Sequence, residues 1–167
     1  MRKILFGLAT LLTITATNIF AQQAAQSPAS SATGKIGNAT ITITYGSPSV
    51  KGRAIWGELV PYGKVWRTGA NKATTFETDA DITVEGQPLK KGKYALFTIP
   101  EKNEWVIIFN KTTDQWGSFN YKQDDDVLRV KSKPSSSNET VEALKFEVGK
   151  NAVTMKWEKL SVSFGVK

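Results

Sequence analysis

Neither cysteine nor histidine occurs among the 167 residues of this chain. Without histidine there is no Ser-His-Asp triad and no imidazole general base at neutral pH. Without cysteine there is no thiolate nucleophile, and zinc, copper and haem sites lose their usual ligands. The histidine-based metal sites of cupin-type barrels are excluded for the same reason. The phosphate-loop and dinucleotide-binding motifs are also missing, so we expect no cofactor and no metal.

Residues 1–21 have the organisation of a secretory signal peptide. A basic start precedes an apolar run at residues 4–19, and Ala21 supplies the small residue at the cleavage point. The run is too short and too rich in threonine for a membrane span, and the lack of cysteine excludes a lipoprotein anchor. The pattern predicts export to the periplasm or the cell exterior, with cleavage after Ala21 and no membrane anchor afterwards.

The rest of the chain divides into a leader and one domain. Residues 22–34, QQAAQSPASSATG, have no apolar period and predict a disordered leader. Residues 35–167 are sufficient for a single domain that needs no disulfide. Basic residues outnumber acidic ones by 22 to 15, but they are scattered, which favours solubility over a nucleic-acid patch. We therefore expect no nucleic-acid partner.

Apolar and polar residues alternate over most of the domain. Residues 39–45 alternate with threonines, as in a half-buried strand. Residues 93–99 and 105–109 are apolar at both parities, which predicts an antiparallel hairpin with a layer on each face. About nine strands with short turns and no long helix predict an all-β fold, an antiparallel sandwich that is jelly-roll-like.

Two local features refine this prediction. Residues 134–138, PSSSN, predict a serine-rich turn between two strands. The parity of the apolar residues shifts by one between Trp157 and Leu160, which predicts a β-bulge near Lys159.

The stretch at residues 45–71, YGSPSVKGRAIWGELVPYGKVWRTGAN, fits neither a helix nor a strand. Glycine and proline set turns, yet here they stand among large aromatic residues, which belong in a core or a binding surface. Long, self-packed loops of this kind are often functional. The alternative is an Ω-like loop that only caps one end of the sandwich.

Five residues of this loop are predicted to converge on one concave surface and to bind a small molecule or a glycan: Arg53, Tyr62, Trp66, Arg67 and Asn71. A guanidinium offers five donors, suited to a carboxylate, a phosphate or a ring of backbone carbonyls. Each arginine therefore either recognises an anionic or polyhydroxylated ligand or holds loop carbonyls together. Trp56 and Trp116, like Trp66 and Tyr62, either stack on sugar rings or belong to the core.

Two functions from different classes remain open. The first is a non-catalytic binding domain for a carbohydrate or a small anion. The second is a hydrolase or lyase that uses a carboxylate such as Glu58 or Asp126, with an arginine stabilising negative charge. The run at residues 124–126, DDD, also offers oxygen ligands to calcium, although such a run is usually a solvated turn. The missing histidine favours the first function.

Several segments of the chain resemble a known family. They are the loop at residues 45–71, KKGKYALFTIP at 90–100, and EWVIIFNK at 104–111 followed by QWG. They resemble the domain of unknown function 2911 family, exported proteins mostly from Bacteroidota-type bacteria, and the resemblance runs from about Gly34 to the end. It implies an exported all-β domain and no particular activity. Family members typically have YGRPS where this chain has YGSPS at residues 45–49. Ser47 thus stands in place of the arginine, and a role for an arginine at this position does not carry over.

Overall fold

The computed structural model describes residues 27–167, so the predicted signal peptide and residues 22–26 of the predicted leader lie outside the described residues. Ten strands and one short 3-10 helix, Gln123–Asp125, form the regular structure of this part. The strands are β1 (Ala29–Ile36), β2 (Ala39–Gly46), β3 (Thr74–Thr78), β4 (Ile82–Val84), β5 (Gln87–Leu89), β6 (Gly92–Ile99), β7 (Trp105–Asn110), β8 (Asp126–Ser132), β9 (Pro134–Val148) and β10 (Ala152–Gly165). Within residues 27–167, no helix is long and apolar enough to cross a membrane.

Six strands form one antiparallel sheet in the order β1-β2-β3-β6-β7-β8. Strands that follow one another along the chain are neighbours, except that the β4-β5 hairpin leaves the sheet between β3 and β6. Glu85 and Gly86 form the two-residue turn of that hairpin with φ angles of 48° and 79°. Tight hairpin turns require positive values of this kind.

A long antiparallel hairpin, β9-β10, covers one face of the six-stranded sheet. Phe164 of β10 packs against Phe76 and Phe109 of the sheet, with ring centroids 6.2 and 5.8 Å apart. Leu144 of β9 and Trp157 of β10 are fully buried in the same core. The two layers confirm the prediction of an all-β antiparallel sandwich.

The hairpin of β6 and β7 is buried on both faces, as predicted from its continuous apolar runs. Leu96 and Ile107 face β9-β10, while Phe97 and Ile108 face the opposite side. All four side chains are at most 1% exposed. The second face is covered by loops rather than by strands, with Val65 and Tyr121 packed against it.

Replacing Ile107 by alanine should therefore lower the free energy of unfolding by about 2–5 kcal/mol, because the emptied site cannot collapse fully. Urea denaturation followed by circular dichroism measures this loss. Val127→Ala is the control, since Val127 is 49% exposed and surface substitutions usually change stability by less than about 0.5 kcal/mol. Equal effects of the two changes would contradict a core centred on this hairpin.

The predicted leader extends too far, because residues 29–34 belong to β1. This strand pairs with β2 over its whole length, from Ala29 opposite Gly46 to Ile36 opposite Ala39. Backbone hydrogen bonds are enough to hold this edge strand, so residues 29–34 need no apolar side-chain pattern by which a strand could be predicted. Gly34 also allows β1 to approach the end of β9 closely, since a Cβ on Gly34 would lie only 2.9 Å from the side chain of Val148.

The predicted serine-rich turn at residues 134–138 is wrong, because these residues belong to β9. The predicted bulge near Lys159 is confirmed. Residues 134–136 pair with the second half of β10, with Ser136 opposite Leu160, so the chain changes sheets at Lys133. Proline is tolerated as the first residue of a strand, and Pro134 starts β9. The register of β9-β10 shifts on both sides of Glu158, whose φ is 54°.

Candidate functional site

The long loop after β2 is fastened to both layers of the sandwich. Its first part lies along β9, where Val50 N donates to Glu142 O at 2.8 Å and Leu144 N donates to Pro48 O at 2.9 Å. Its last part pairs with the end of β6, where Trp66 and Thr98 exchange two backbone hydrogen bonds of 2.8 and 2.9 Å. The loop therefore closes one end of the sandwich as a fixed structure.

Four of the five tryptophans pack together beneath this loop. Trp56 and Trp66 come from the loop, Trp105 from β7 and Trp157 from β10. Trp66 stacks on Trp157 at 6.0 Å with 17° between the rings, and its Nε1 donates to Gly69 O at 3.2 Å. Trp56 and Trp66 thus belong to the core rather than to an open stacking surface.

The two arginines of the loop have different surroundings. Arg53 is exposed, and its Nε donates to Val50 O at 3.1 Å while its Nη2 donates to Ser49 O. It therefore holds loop carbonyls together, which was one of its two predicted roles.

Arg67 has none of these bonds. Its side chain makes no hydrogen bond and no ion pair within the described residues, and its buried Nε has no partner. Burial lowers the pKa of the guanidinium, because the cost of removing the charge from water is not offset by an acidic neighbour in the described part of the chain. The carbonyl-binding role is therefore wrong for Arg67.

Arg67 opens into a cavity of about 350 Å³, called the arginine cavity below. Its polar and aromatic lining residues are Ser27, Arg53, Trp66, Arg67, Asn71 and Trp157. No carboxylate lines it within residues 27–167. Asn71 adopts a φ of 63°, and its Nδ2 donates to Ser27 O at 2.9 Å, which fixes the end of the loop.

Four of the five predicted site residues thus share one cavity, and Tyr62 does not. Tyr62 packs over the loop backbone, where a Cβ on Gly57 would lie 3.0 Å from its ring. It lines a separate depression with Glu101 and Lys131. The expected convergence of Tyr62 with the arginines is wrong because the chain at Gly63 is held against Pro100, the residue after β6, to whose carbonyl Gly63 N donates at 2.9 Å.

A second depression, of about 520 Å³, lies on the loop-covered face of the six-stranded sheet and is called the sheet groove below. Its polar and aromatic lining residues include Thr44, Lys72, Thr75, Lys93, Asp114 and Trp116. Trp116 is 53% exposed. Trp116 was predicted only as one of several aromatic residues that either stack on a sugar or belong to the core. Its position in a QWG segment between polar residues was the one feature of the sequence that indicated an exposed site.

A short ladder separates the sheet groove from the arginine cavity. Lys72 pairs with Trp116 as an antiparallel bridge. Gly117 N donates to Asn71 O at 3.0 Å, and Ala73 N donates to Gln115 O at 2.9 Å. Ala70 and Asn71 line both depressions, so the two are adjacent.

The acidic residues considered for catalysis or calcium lie elsewhere. Glu58 is exposed and does not line either depression. Asp126 accepts hydrogen bonds from Tyr121 Oη at 2.6 Å and Arg129 Nε at 2.7 Å. Asp125 pairs with Lys111 at 3.1 Å, and this hydrogen bond lowers the pKa of its carboxyl. Within residues 27–167, no group of three or more acidic side chains is arranged to hold a metal ion.

Comparison with known families matches residues 27–166 to the family described as protein of unknown function, DUF2911. The chain belongs to the DUF2911 family. Neither the curated proteins nor the solved structures gave a match. In this DUF2911 domain, Ser47 is buried, and its hydroxyl donates to Leu144 O at 2.7 Å. Ser47 thus joins the loop to β9.

Proposed function

We propose that this DUF2911 member is an exported, non-catalytic binding domain whose ligand is a small anion or a carbohydrate with an acidic group. Arg67 carries the proposal. Its guanidinium is half-buried, lines a cavity and has no partner within the described residues. A ligand carboxylate, sulfate or phosphate would supply the missing acceptors in a two-point hydrogen-bonded pair.

The energetics of the cavity favour a ligand over a structural role. A charge moved partly out of water is costly unless it is paired. We therefore expect the unpaired Arg67 to lower the stability of the protein without a ligand. Such destabilising groups are typical of sites kept for binding. Arg53 lies on the same cavity and adds positive charge, while its own hydrogen bonds to two carbonyls keep it in place.

Export is the second part of the proposal. It rests on the order of charged start, apolar run and small residue in residues 1–21. The intact mass of the exported protein tests it, and a mature chain that still begins at Met1 would contradict it.

The alternative of a hydrolase or lyase has less support. General acid–base catalysis needs a carboxylate within hydrogen-bond reach of the bound ligand. Glu58 is exposed and lies outside the arginine cavity, and Asp126 is engaged by Tyr121 and Arg129. An arginine without a nearby acid is suited to holding an anion rather than to transferring a proton, because its pKa exceeds the working pH.

Arg67→Gln should abolish anion binding and leave the unliganded protein as stable as the wild type or more stable. A ligand at one hundred times its Kd raises the free energy of unfolding by about 2.7 kcal/mol, and the variant should lose this gain. The measurement is urea or thermal unfolding with sulfate, phosphate, acetate or citrate against chloride at constant ionic strength.

Lys64→Gln is the matched control, because Lys64 is an exposed cation of the same loop that does not line the cavity. It removes one positive charge and should retain the anion effect. An unliganded Arg67→Gln variant destabilised by about 1–3 kcal/mol, the loss expected for a stranded polar partner, would instead assign Arg67 a structural role.

A further inference from the structure

We infer that the arginine cavity and the adjacent sheet groove together bind an acidic oligosaccharide, with one sugar ring stacked on Trp116 and an acidic group held by Arg67. This inference rests on the proposed function and adds the ligand class and the second half of the site. Three observations carry it: the exposed indole of Trp116, the adjacency of the two depressions across a short backbone ladder, and the basic residues that line both.

Trp116 differs from the other tryptophans of the chain. The other four pack against one another in the core, whereas Trp116 is 53% exposed on the wall of a concave groove. A sugar ring has an apolar C–H face that suits the electron-rich face of an indole. An exposed indole in a groove therefore favours a pyranose over a free inorganic anion.

The floor of the sheet groove offers polar groups for sugar hydroxyls. Thr44 of β2 and Thr75 of β3 lie directly opposite each other and both line the groove. Their hydroxyls make no hydrogen bond within the described residues, so they remain available to a ligand. Few, fixed polar groups beside an aromatic wall are typical of ligand sites.

Arg67 reaches the boundary between the two depressions. Its Nη1 lies 3.7 Å from the position that a Cβ would occupy on Gly117, the residue after Trp116. Asn71 lines both depressions and accepts a hydrogen bond from Gly117 N. A ligand with one ring on Trp116 and an acidic substituent on the next unit would extend from the groove toward the guanidinium.

The charge of the combined site favours an acidic glycan over a neutral one. Lys72 and Lys93 line the groove with one acid, Asp114, and Arg67 and Arg53 line the cavity without any acid within the described residues. Lys72 pairs with Asp114 at 3.1 Å and Lys93 pairs with Glu77 at 3.7 Å, but all four side chains are more than half exposed. Such a pair contributes little, so Lys72 can turn toward an acidic ligand.

The test compares trigalacturonate with its methyl ester by isothermal titration. The ester keeps the sugar rings and neutralises the carboxylates, so the difference in Kd measures the acidic contact alone. A sulfated galactose trisaccharide forms a parallel arm that distinguishes sulfate from carboxylate. The variants are Arg67→Gln, Trp116→Ala and Trp116→Phe, and Phe119→Ala is the matched control, since Phe119 is 85% exposed in the same loop and does not line the groove.

The wild type should bind an acidic trisaccharide at least about tenfold more tightly than the ester, as one charge-assisted contact provides. Arg67→Gln should remove this preference. Trp116→Ala should weaken the acid and the ester alike by about tenfold, Trp116→Phe should recover part of the loss, and Phe119→Ala should match the wild type. Preference for the sulfated probe would support the inference with sulfate as the acidic group.

Equal affinity for acid and ester, unchanged affinity in Trp116→Ala, or no binding of any of the three trisaccharides would overturn the inference. The proposed function would survive such a result if sulfate or acetate still stabilised the wild type but not Arg67→Gln. Glycan binding that depends on Trp116 and not on Arg67 would overturn both.

Discussion

Trp157→Ala should lower the free energy of unfolding by about 3–5 kcal/mol, the range for emptying a buried tryptophan site. Trp157 is 1% exposed, and its ring contacts Trp66 and Trp56 with centroids 6.0 and 5.7 Å apart. Because domains have only about 5–15 kcal/mol of stability in total, a loss of this size brings the protein close to unfolding. Urea titration followed by far-ultraviolet circular dichroism measures it without relying on tryptophan fluorescence.

The chain supplies its own control for this experiment. Trp116→Ala removes the same side chain from a site that is 53% exposed, and it should cost well under half as much because less apolar area leaves the interior. Trp157→Phe should also cost less, since it keeps an aromatic ring and removes an indole Nε1 that has no partner within the described residues. Similar losses for Trp157→Ala and Trp116→Ala would contradict a core centred on the four packed tryptophans.

Gly46→Ala should destabilise the fold by about 1–3 kcal/mol or more and should also weaken anion binding. A Cβ on Gly46 would overlap the carbonyl oxygen of Ala70, and Ala70 N donates to Gly46 O at 3.2 Å. The atoms of Ala70 that the Cβ would meet belong to the backbone and cannot rotate away. The end of β2 or residues 70–71 must therefore move. Since Ala70 and Asn71 line both depressions, the movement would disturb the proposed site.

Thermal unfolding with and without sulfate measures both effects of Gly46→Ala. Gly165→Ala is the control, because a Cβ there makes only ordinary contacts, 3.4 Å from the side chain of Glu85 and 4.0 Å from the carbonyl oxygen of Asn151. That variant should keep its response to sulfate. Wild-type stability together with a wild-type sulfate response in Gly46→Ala would mean that the segment shifts freely and does not shape the site.

Hydrophobic periodicity correctly predicted the strands that are held in place by buried apolar side chains. The alternation in β2 and the continuous apolar runs of β6 and β7 identified strands close to the observed bounds, Ala39–Gly46, Gly92–Ile99 and Trp105–Asn110. The parity shift near Lys159 identified the bulge in β10. Burial on a pleated sheet imposes these patterns, and they are therefore readable from the sequence.

Strands held by backbone pairing gave no comparable signal. β1 and the first residues of β9 are polar and small, yet they pair with β2 and β10. Their position depends on hydrogen bonds that every residue except proline can donate. The sequence of a serine-rich segment such as residues 134–138 is therefore equally compatible with a turn and with an extended strand.

The sequence by itself determined the excluded chemistries, the all-β class and the loop that carries the candidate site. Only the tertiary structure decided which role each residue of that loop takes. Arg53 and Arg67 are alike in sequence, but Arg53 donates to two carbonyls whereas the Arg67 side chain donates to none within residues 27–167. Trp66 and Trp116 are alike as well, but one stacks on Trp157 and the other stays exposed. The physical reason is that the loop takes its shape from β6 and β9, to which its backbone is hydrogen-bonded, and from β10, which supplies Trp157. These strands are distant in sequence and meet the loop only in the folded chain, where nearby carbonyls then reach Arg53 and not Arg67.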